Sequence, residues 1–190
     1  MAIKQRIPAA ERRALILREA GRLFARHGYA GTRLDDVAAA AHVTKPIVYR
    51  HFESKKALYM ALLAKHHDDL PTFVEDGGDP RAILERWLDY VRENSHAWVM
   101  LFRDDSGDDD IRALRRTVSL RAREVMGRFI AGHPGSRVPP QQVAPAAEAL
   151  RSGLAGLALW WIDNPGTPKP VVLEVAARIS EAALGGGKGR

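Results

Sequence analysis

Apolar residues recur near the start of the chain at Ile16, Ala20, Leu23 and Phe24. Together with His27 they fall on one face of a helix predicted from Ala9 to His27, with Arg12, Arg13, Arg22 and Arg26 among the residues between. Gly28 suits the left-handed position that ends a helix, and Thr32 with Asp35 three residues on reads as an acidic variant of the capping box. A second helix follows, about Arg33 to Ala41, whose Leu34, Val37, Ala38 and Ala41 form a narrow stripe that lets another helix cross closely. After His42-Val43 comes a short third helix ending near Phe52, capped either by Thr44 or by Lys45 with Pro46 at the first helical position. Ser54 caps a fourth helix that runs through Leu58, Leu62 and Leu63 to about Leu70. Lys55 and Lys56 in its first turn oppose the helix dipole, an arrangement that makes sense beside something anionic.

Downstream, helical stretches are expected at about 80–94, 95–103, 109–132, 141–163 and 171–184, separated by turn-forming loops at Glu75–Pro80, Ser106-Gly107, His133–Ser136 and Asn164–Pro168. No segment alternates as a strand does and no repeat is visible, so the predicted class is all-α.

Composition narrows this. With 46% hydrophobic and 27% charged residues, the 190-residue chain reads as a globular protein of one compact domain or a small module joined to a larger one. Its longest apolar or glycine stretch, Gly153 to Ile162, is far short of the roughly 20 residues that span a bilayer. No cysteine is present, which excludes disulfides, thiolate catalysis and cysteine-bound zinc. The first residues lack the apolar core of a secretion signal, so a cytoplasmic location is the default expectation. Charge is more telling: residues 1–56 hold 12 Lys and Arg against 5 Asp and Glu, whereas the remainder is nearly balanced. A basic segment on a neutral body suits a protein that meets a polyanion at one end, although a solvated charged helix has the same composition.

The short second and third helices joined by a tight turn form a helix-turn-helix, motif about 33–52, whose second helix enters the major groove of DNA. Val48 and Phe52, four apart, anchor that helix on the core and leave Lys45, Pro46, Tyr49 and Arg50 on or near the side that faces a groove. Lys45 is suited to guanine acceptors, Arg50 to base or phosphate, and Tyr49 and His51 to phosphate oxygens. Thr32, Arg33 and Lys55 would clamp the DNA backbone on the flanks. For His51 a purely structural role, bracing the bundle, stands beside the DNA role.

These residues carry a resemblance. The string Gly28-Tyr29-Ala30-Gly31-Thr32-Arg33-Leu34-Asp35-Asp36-Val37-Ala38, followed by Val43-Thr44-Lys45-Pro46-Ile47-Val48-Tyr49-Arg50-His51-Phe52-Glu53-Ser54-Lys55, resembles the N-terminal domain of TetR-family transcriptional regulators over about residues 10–60. The Tyr-x-His-Phe pattern followed by Ser-Lys is far more restrictive than a bare helix-turn-helix. The resemblance implies an all-helical homodimer whose N-terminal domains bind a palindromic operator, with a larger C-terminal domain that dimerises and holds a small-molecule inducer. It also implies DNA contacts at Thr44, Lys45, Pro46, Tyr49, His51 and Lys55. One departure is His42, where the family's turn usually has glycine; a slightly strained turn is expected there.

The expected organisation is therefore a DNA-binding domain over 1–56 and an effector-binding and dimerisation domain over 57–190. Past the fourth helix the resemblance fades and the residues speak alone. Small residues at Ser152, Gly153, Ala155, Gly156 and Ala158 permit close helix contact, so helices 141–163 and 171–184 are expected to pair with those of a second copy as a four-helix interface. Trp87, Tyr90, Trp98 and Phe102, with Met100 and Leu101, supply the surface for a small apolar effector, with His66, Asn94 and His96 as polar candidates; an ordinary core would use the same residues. His66-His67-Asp68-Asp69 is a weak metal candidate, because adjacent helical residues diverge by about 100°. The acidic run Asp104–Asp110 lacks the glycine and glutamate positions of a calcium loop and reads more simply as a helix cap. No metal, cofactor or catalytic constellation is predicted. The expected function is a ligand-released repressor; rivals are an activator or architectural DNA binder, and a helical enzyme or carrier with a vestigial DNA module.

Overall fold

The computed structural model describes residues 8–69, 79–103 and 108–186, with the backbone alone for 66–69. Among the described residues there are helices and no strands: α1 (Ala9–Gly31), α2 (Leu34–Ala40), α3 (Lys45–His51), α4 (Lys55–Asp69), α5 (Pro80–Glu93), α6 (Ser95–Phe102), α7 (Asp109–Gly132), α8 (Pro140–Asp163) and α9 (Lys169–Ala183). The all-α expectation holds, and every expected helix is present within a few residues of its predicted bounds. The expected end of the fourth helix at Leu70 and the loops at 75–78 and 106–107 lie outside the described residues.

The helices enclose two apolar clusters. In the first, Ile16, Ala20 and Phe24 of α1 meet Val37 and Ala38 of α2, Val48 of α3, and Leu58, Tyr59, Leu62 and Leu63 of α4. Met100 and Leu101 of α6 and Ile111 and Val118 of α7 close it from the other side. The second is built by Leu84, Trp87, Leu88 and Val91 of α5, Trp98 of α6, Ile130 of α7, Leu150, Leu154, Ala158 and Trp161 of α8, and Val172, Leu173 and Ala176 of α9. Full burial of one such large side chain stabilises by about 1.5–3 kcal/mol, so these two clusters dominate the folding energy. Helices α6 and α7 serve both clusters, and they are the material connection between the two ends of the molecule.

Local chemistry sets the helix ends. Asp108 accepts from the Asp110 and Ile111 amides at 3.0 and 3.2 Å, the capping expected of the acidic run. Asp79 does the same for Ala82 at 3.2 Å, and Ser54 Oγ accepts from Ala57 N at 3.0 Å. Two expectations need correction. Gly28 takes a positive φ of 70° as expected, yet the chain kinks there and runs helically on to Gly31 instead of stopping. His27, assigned to the apolar face, is exposed because the buried face of α1 runs through Ile16, Ala20, Gly21 and Phe24.

Gly21 is the most tightly enclosed glycine among the described residues. A Cβ built there would lie 2.4 Å from Cδ2 and 2.9 Å from Nε2 of His96, so α1 and α6 touch through a glycine and an imidazole. Burial, and after it the charges of Arg22 and Lys65, lower the pKa of His96 and keep the ring neutral. Gly21→Ala is expected to destabilise the fold by roughly 1–3 kcal/mol through overpacking. Gly127→Ala, where the nearest atoms are 3.9 Å away, should stabilise α7 by about 0.5–1 kcal/mol. Urea midpoints of the two variants should move in opposite directions; a shared direction would refute the tight α1–α6 contact.

Candidate nucleic-acid interface and adjoining cavity

The turn between α2 and α3 is closed by backbone bonds: Val43 N donates to Ala38 O at 2.9 Å and His42 N to Ala39 O at 3.1 Å. His42 takes a φ of 52°, the left-handed conformation expected of the position usually held by glycine. Thr44 is the residue preceding α3, and Pro46 sits in its first turn, where a missing amide donor costs nothing. The Thr44 side chain makes no capping bond, so the hydroxyl is not occupied in that role. Val48 and Phe52 are buried, the anchoring expected from their spacing.

With those anchors fixed, α3 turns Lys45, Pro46, Tyr49 and Arg50 outward, with Thr44 exposed just ahead. Tyr49 is 47% exposed, unusual for a tyrosine with no solvent-side role in packing. Lys45 is not idle: its ammonium pairs with Asp35 of α2 at 3.0 Å, and that hydrogen bond and charge raise its pKa. Arg33 is exposed beside it at the start of α2. His51 is half-buried at the end of α3, its pKa lowered by burial and then by Arg50, Arg12 and Arg13. Its Nε2 is buried without a hydrogen-bond partner among the described residues, and Arg13 lies over the Phe52 ring at 4.8 Å. The outward face of α3 thus belongs to a basic surface that also includes Arg12 and Arg13 of α1.

Two predicted flank residues are placed otherwise. Thr32 is 2% exposed, and its hydroxyl donates to Gly28 O at 2.9 Å; it closes the kinked end of α1 and does not cap α2, whose preceding residue is Arg33. Lys55 turns inward: its ammonium donates to the carbonyls of Tyr29 at 2.8 Å, Thr32 at 3.0 Å and Ala30 at 3.4 Å, and sits 4.6 Å from the Tyr29 ring centroid. An ammonium has three donors, and here all three have acceptors. The negative partner that its position anticipated is supplied by the partial charges of the carbonyl oxygens ending α1. Lys56 instead reaches Asp108 at 3.0 Å, and also Asp110, so the first turn of α4 is joined to the first turn of α7. Hydrogen bonds to those carboxylates raise the Lys56 pKa, and Lys56 in turn lowers that of Asp108.

Beneath this surface lies an aromatic group that the sequence reading passed over. Tyr59 of α4 is fully buried, edge-on to Phe24 at 4.9 Å and to Tyr29 at 5.1 Å. Its hydroxyl donates to Met100 O at 3.3 Å and accepts from Arg115 Nη2 of α7 at 2.8 Å. The Tyr-Met pair after Lys55-Lys56 gave a signal for a core position, but nothing local to the sequence marks a partner 56 residues away.

Beyond Arg115 opens a cavity of about 110 Å³ between α5, α6, α7 and α8. Four of the expected effector residues, Trp87, Trp98, Leu101 and Phe102, line it, with Ile83, Val118 and Leu154 among the aliphatic walls. Trp87 and Trp98 meet edge to face at 5.8 Å, and Trp98 stacks on Phe102 at 5.4 Å. Tyr90 is half-buried and does not line the cavity, and the side chain of His66 lies outside the described residues. Asn94 and His96 are spent elsewhere, Asn94 donating to Tyr90 O at 3.0 Å and His96 packing on Gly21. Met100 belongs to the first core cluster.

Comparison with known proteins follows the same division. The profile of the family described as bacterial regulatory proteins, tetR family, matches residues 16–62. Among curated relatives, the transcriptional activator FasR of Mycolicibacterium smegmatis is 33% identical over 108 residues, 53% of this chain and 49% of that protein. The transcriptional repressor SCO4008 of Streptomyces coelicolor is 36% identical over 80 residues, 42% of each chain. The chain thus spans about half the length of the curated relatives it matches. Solved structures extend the likeness in fold to nearly the whole chain. A TetR-like transcriptional regulator from Rhodococcus sp. RHA1 superposes with a TM-score of 0.78 at 21% identity, covering 96% of this chain and 100% of that one. NalD of Pseudomonas aeruginosa, the secondary repressor of the MexAB-OprM multidrug efflux pump, gives 0.67 at 23% identity, covering 94% and 96%.

The different settings of Lys45 and Lys55 make a paired prediction. Lys55→Met should lower stability by about 2 kcal/mol, since three carbonyls lose a charged donor. Asp35→Asn releases Lys45 and should strengthen binding to a random-sequence duplex by up to about fivefold, the scale of an exposed ion pair. Denaturation midpoints and fluorescence anisotropy at two salt concentrations read the two effects. An unaltered midpoint with a flatter salt dependence in Lys55→Met would return Lys55 to the role of phosphate clamp.

Proposed function

We propose that this chain, which belongs through its N-terminal helix-turn-helix domain to the TetR family of bacterial regulatory proteins, is a dimeric transcriptional repressor released from a palindromic operator by a small, apolar effector. The observation that carries the reading is the outward row Thr44, Lys45, Pro46, Tyr49 and Arg50 on α3, set in the basic segment 1–56. In this reading Lys45 and Arg50 reach base edges, and Tyr49, Thr44 and Arg33 hold phosphates, the division by which proteins position and read a duplex. His51 serves by bracing α3 against α1, which its half-buried, uncharged ring favours. Residues 57–190 take the effector and dimerisation role, and no catalytic role is assigned. NalD and SCO4008 are repressors by name, which favours repression, while FasR is an activator and makes activation the second reading.

The proposed dimer face is α8 with α9. Trp160, Val171 and Val175 are 49%, 54% and 40% exposed there, an apolar surface that a monomer gains nothing by presenting to water. Pairing these helices with their copies fixes the distance between two recognition helices, which must match half-sites about 34–36 Å apart or a multiple of that. The effector occupies the cavity behind Trp98. From there Arg115 reaches Tyr59, and α7 reaches α4 again through Lys56 and Asp108, so a change of packing around the cavity shifts the N-terminal helices.

Selection of duplexes from a random library at two salt concentrations should enrich one palindrome at both. Binding that is sequence-blind and lost with salt would reduce residues 1–56 to a basic patch. Val175→Asp should halve the mass seen by light scattering while leaving the helical circular dichroism intact. It should also weaken binding to the selected palindrome at least tenfold, since one half-site then has to hold alone; a Val175→Asp dimer would move the interface elsewhere.

A further inference from the structure

Among the cations gathered around α3 stands a carboxylate. Asp35 of α2 is exposed beside Lys45 of α3, whose ammonium lies 3.0 Å from each of its two oxygens. Arg33 and Tyr49 also act on the charge of that ammonium. A surface that only attracted phosphates would be weakened by Asp35, since the pair is neutral and cancels a cation. Nor does the fold depend on it. An exposed ion pair adds little stability, and the two helices are already held by Leu34, Val37 and Val48 in the core and by the bond from Val43 N to Ala38 O across the turn.

We propose that Asp35 is a base-reading residue, and that Asp35 and Lys45 together read one G·C pair: Lys45 donates to guanine O6 and N7 while Asp35 accepts from the cytosine N4 amino group. This rests on the reading of α3 as the helix that enters the major groove, and adds to it a residue of α2 outside the expected contacts. In that groove guanine presents two acceptors and cytosine one amino donor. O6 and N4 are the two ends of a Watson–Crick hydrogen bond, so they lie about 2.9 Å apart. Lys45 Nζ and the Asp35 oxygens are 3.0 Å apart, so the protein sets a donor beside an acceptor at the spacing at which the base pair sets an acceptor beside a donor. Both groups have capacity to spare, since an ammonium carries three donors and a carboxylate about four acceptor sites.

The pattern discriminates between base pairs. Adenine in place of guanine puts its N6 amino group against the ammonium and thymine O4 against the carboxylate, and a reversed C·G pair makes the same two mismatches. Thymine in place of guanine keeps an acceptor for Lys45 and, on its adenine partner, a donor for Asp35. It exchanges guanine N7 for a methyl group, however, and sets adenine N7 beside the carboxylate. The expected order at this position is therefore G, then T, with A and C rejected. Lys45 alone finds an acceptor in every base pair and cannot give that order.

Selection of duplexes from a random library by the full chain, followed by anisotropy titrations with the selected palindrome, tests this. One position in each half-site should follow the expected order. Asp35→Ala should flatten it, lowering the discrimination of G from A there about tenfold, the scale of one base-edge contact. Asp36→Ala removes the same charge from the next residue of α2 and should leave the order intact, while both variants bind a random duplex a few-fold more tightly. N4-methylcytosine keeps the Watson–Crick pair and covers the amino hydrogen that faces the groove; it should weaken binding of the native chain about tenfold and leave that of Asp35→Ala unchanged. Asp35→Asn, whose amide also donates, should admit adenine while keeping guanine, and it carries the test if Asp35→Ala fails to fold. An unchanged order in Asp35→Ala, the same change in Asp36→Ala, or an equal cost of N4-methylcytosine with and without Asp35 overturns the proposal and leaves α3 as the DNA helix. If no palindrome is enriched, the DNA reading falls and this inference with it.

Discussion

One buried hydroxyl holds the two ends of this molecule in register. Tyr59 sits at the bottom of the first core cluster, where its ring fixes Phe24 and Tyr29 of α1, while its oxygen gives a hydrogen bond to α6 and receives one from α7. A phenol in such a place must have both bonds or lose about 1–3 kcal/mol, so the positions of Met100 and Arg115 are tied to the helices that carry the basic surface. The rest of the arrangement follows from that tie. α4 cannot slide along α1 without breaking it, and Lys55, one turn earlier on α4, is thereby held over the carbonyls that end α1. Those carbonyls, the kink at Gly28 and the buried Thr32 set the angle at which α2 leaves, and α2 in turn orients α3.

Local rules recovered most of this fold because the helices are local objects. The apolar spacing of Ile16, Ala20 and Phe24, the caps at Ser54 and Asp108, and the anchors Val48 and Phe52 all act within a few residues, and each was legible in the sequence. Misplaced residues share one property: their partners are distant in the chain. Lys55 looked like a cation waiting for phosphate because the carbonyls of Tyr29 and Thr32 are 26 and 23 residues away. Thr32 looked like a cap for the helix after it because the kink at Gly28, which takes its hydroxyl, is a backbone event with no side-chain signature. Of the cavity residues, Trp87, Trp98 and Phe102 were legible as an aromatic concentration, whereas Arg115 was invisible, since nothing in a helix of many arginines marks which of them turns inward.

The electrostatics divide the same way. Several charged side chains form exposed pairs between helices, such as Arg81 with Glu174 at 2.8 Å and Arg103 with Asp163 at 2.8 Å, that pin helix to helix at little net gain. The basic helix-turn-helix surface is different, with Arg12, Arg13, Arg33 and Arg50 gathered around α3 and Asp35 pairing with Lys45. Such an imbalance destabilises the free protein slightly and is relieved by an anion, which is why charge predicts a partner better than it predicts a fold.

A cavity can govern that surface only if something between them has two arrangements, and packed cores supply this because they shift by steps and do not flow. α6 and α7 belong to both clusters: Trp98 faces the cavity while Met100, two residues on, lies in the first core, and Val118 lines the cavity while Ile111 seals the core beneath α4. Filling the cavity therefore has to be accommodated by helices whose other faces are fixed against α1 and α4. In a dimer built on α8 and α9 the far side of the cavity is held still, because α8 is also one of its walls. The movement then has one direction left, toward Tyr59 and the helices that carry Lys45, Tyr49 and Arg50.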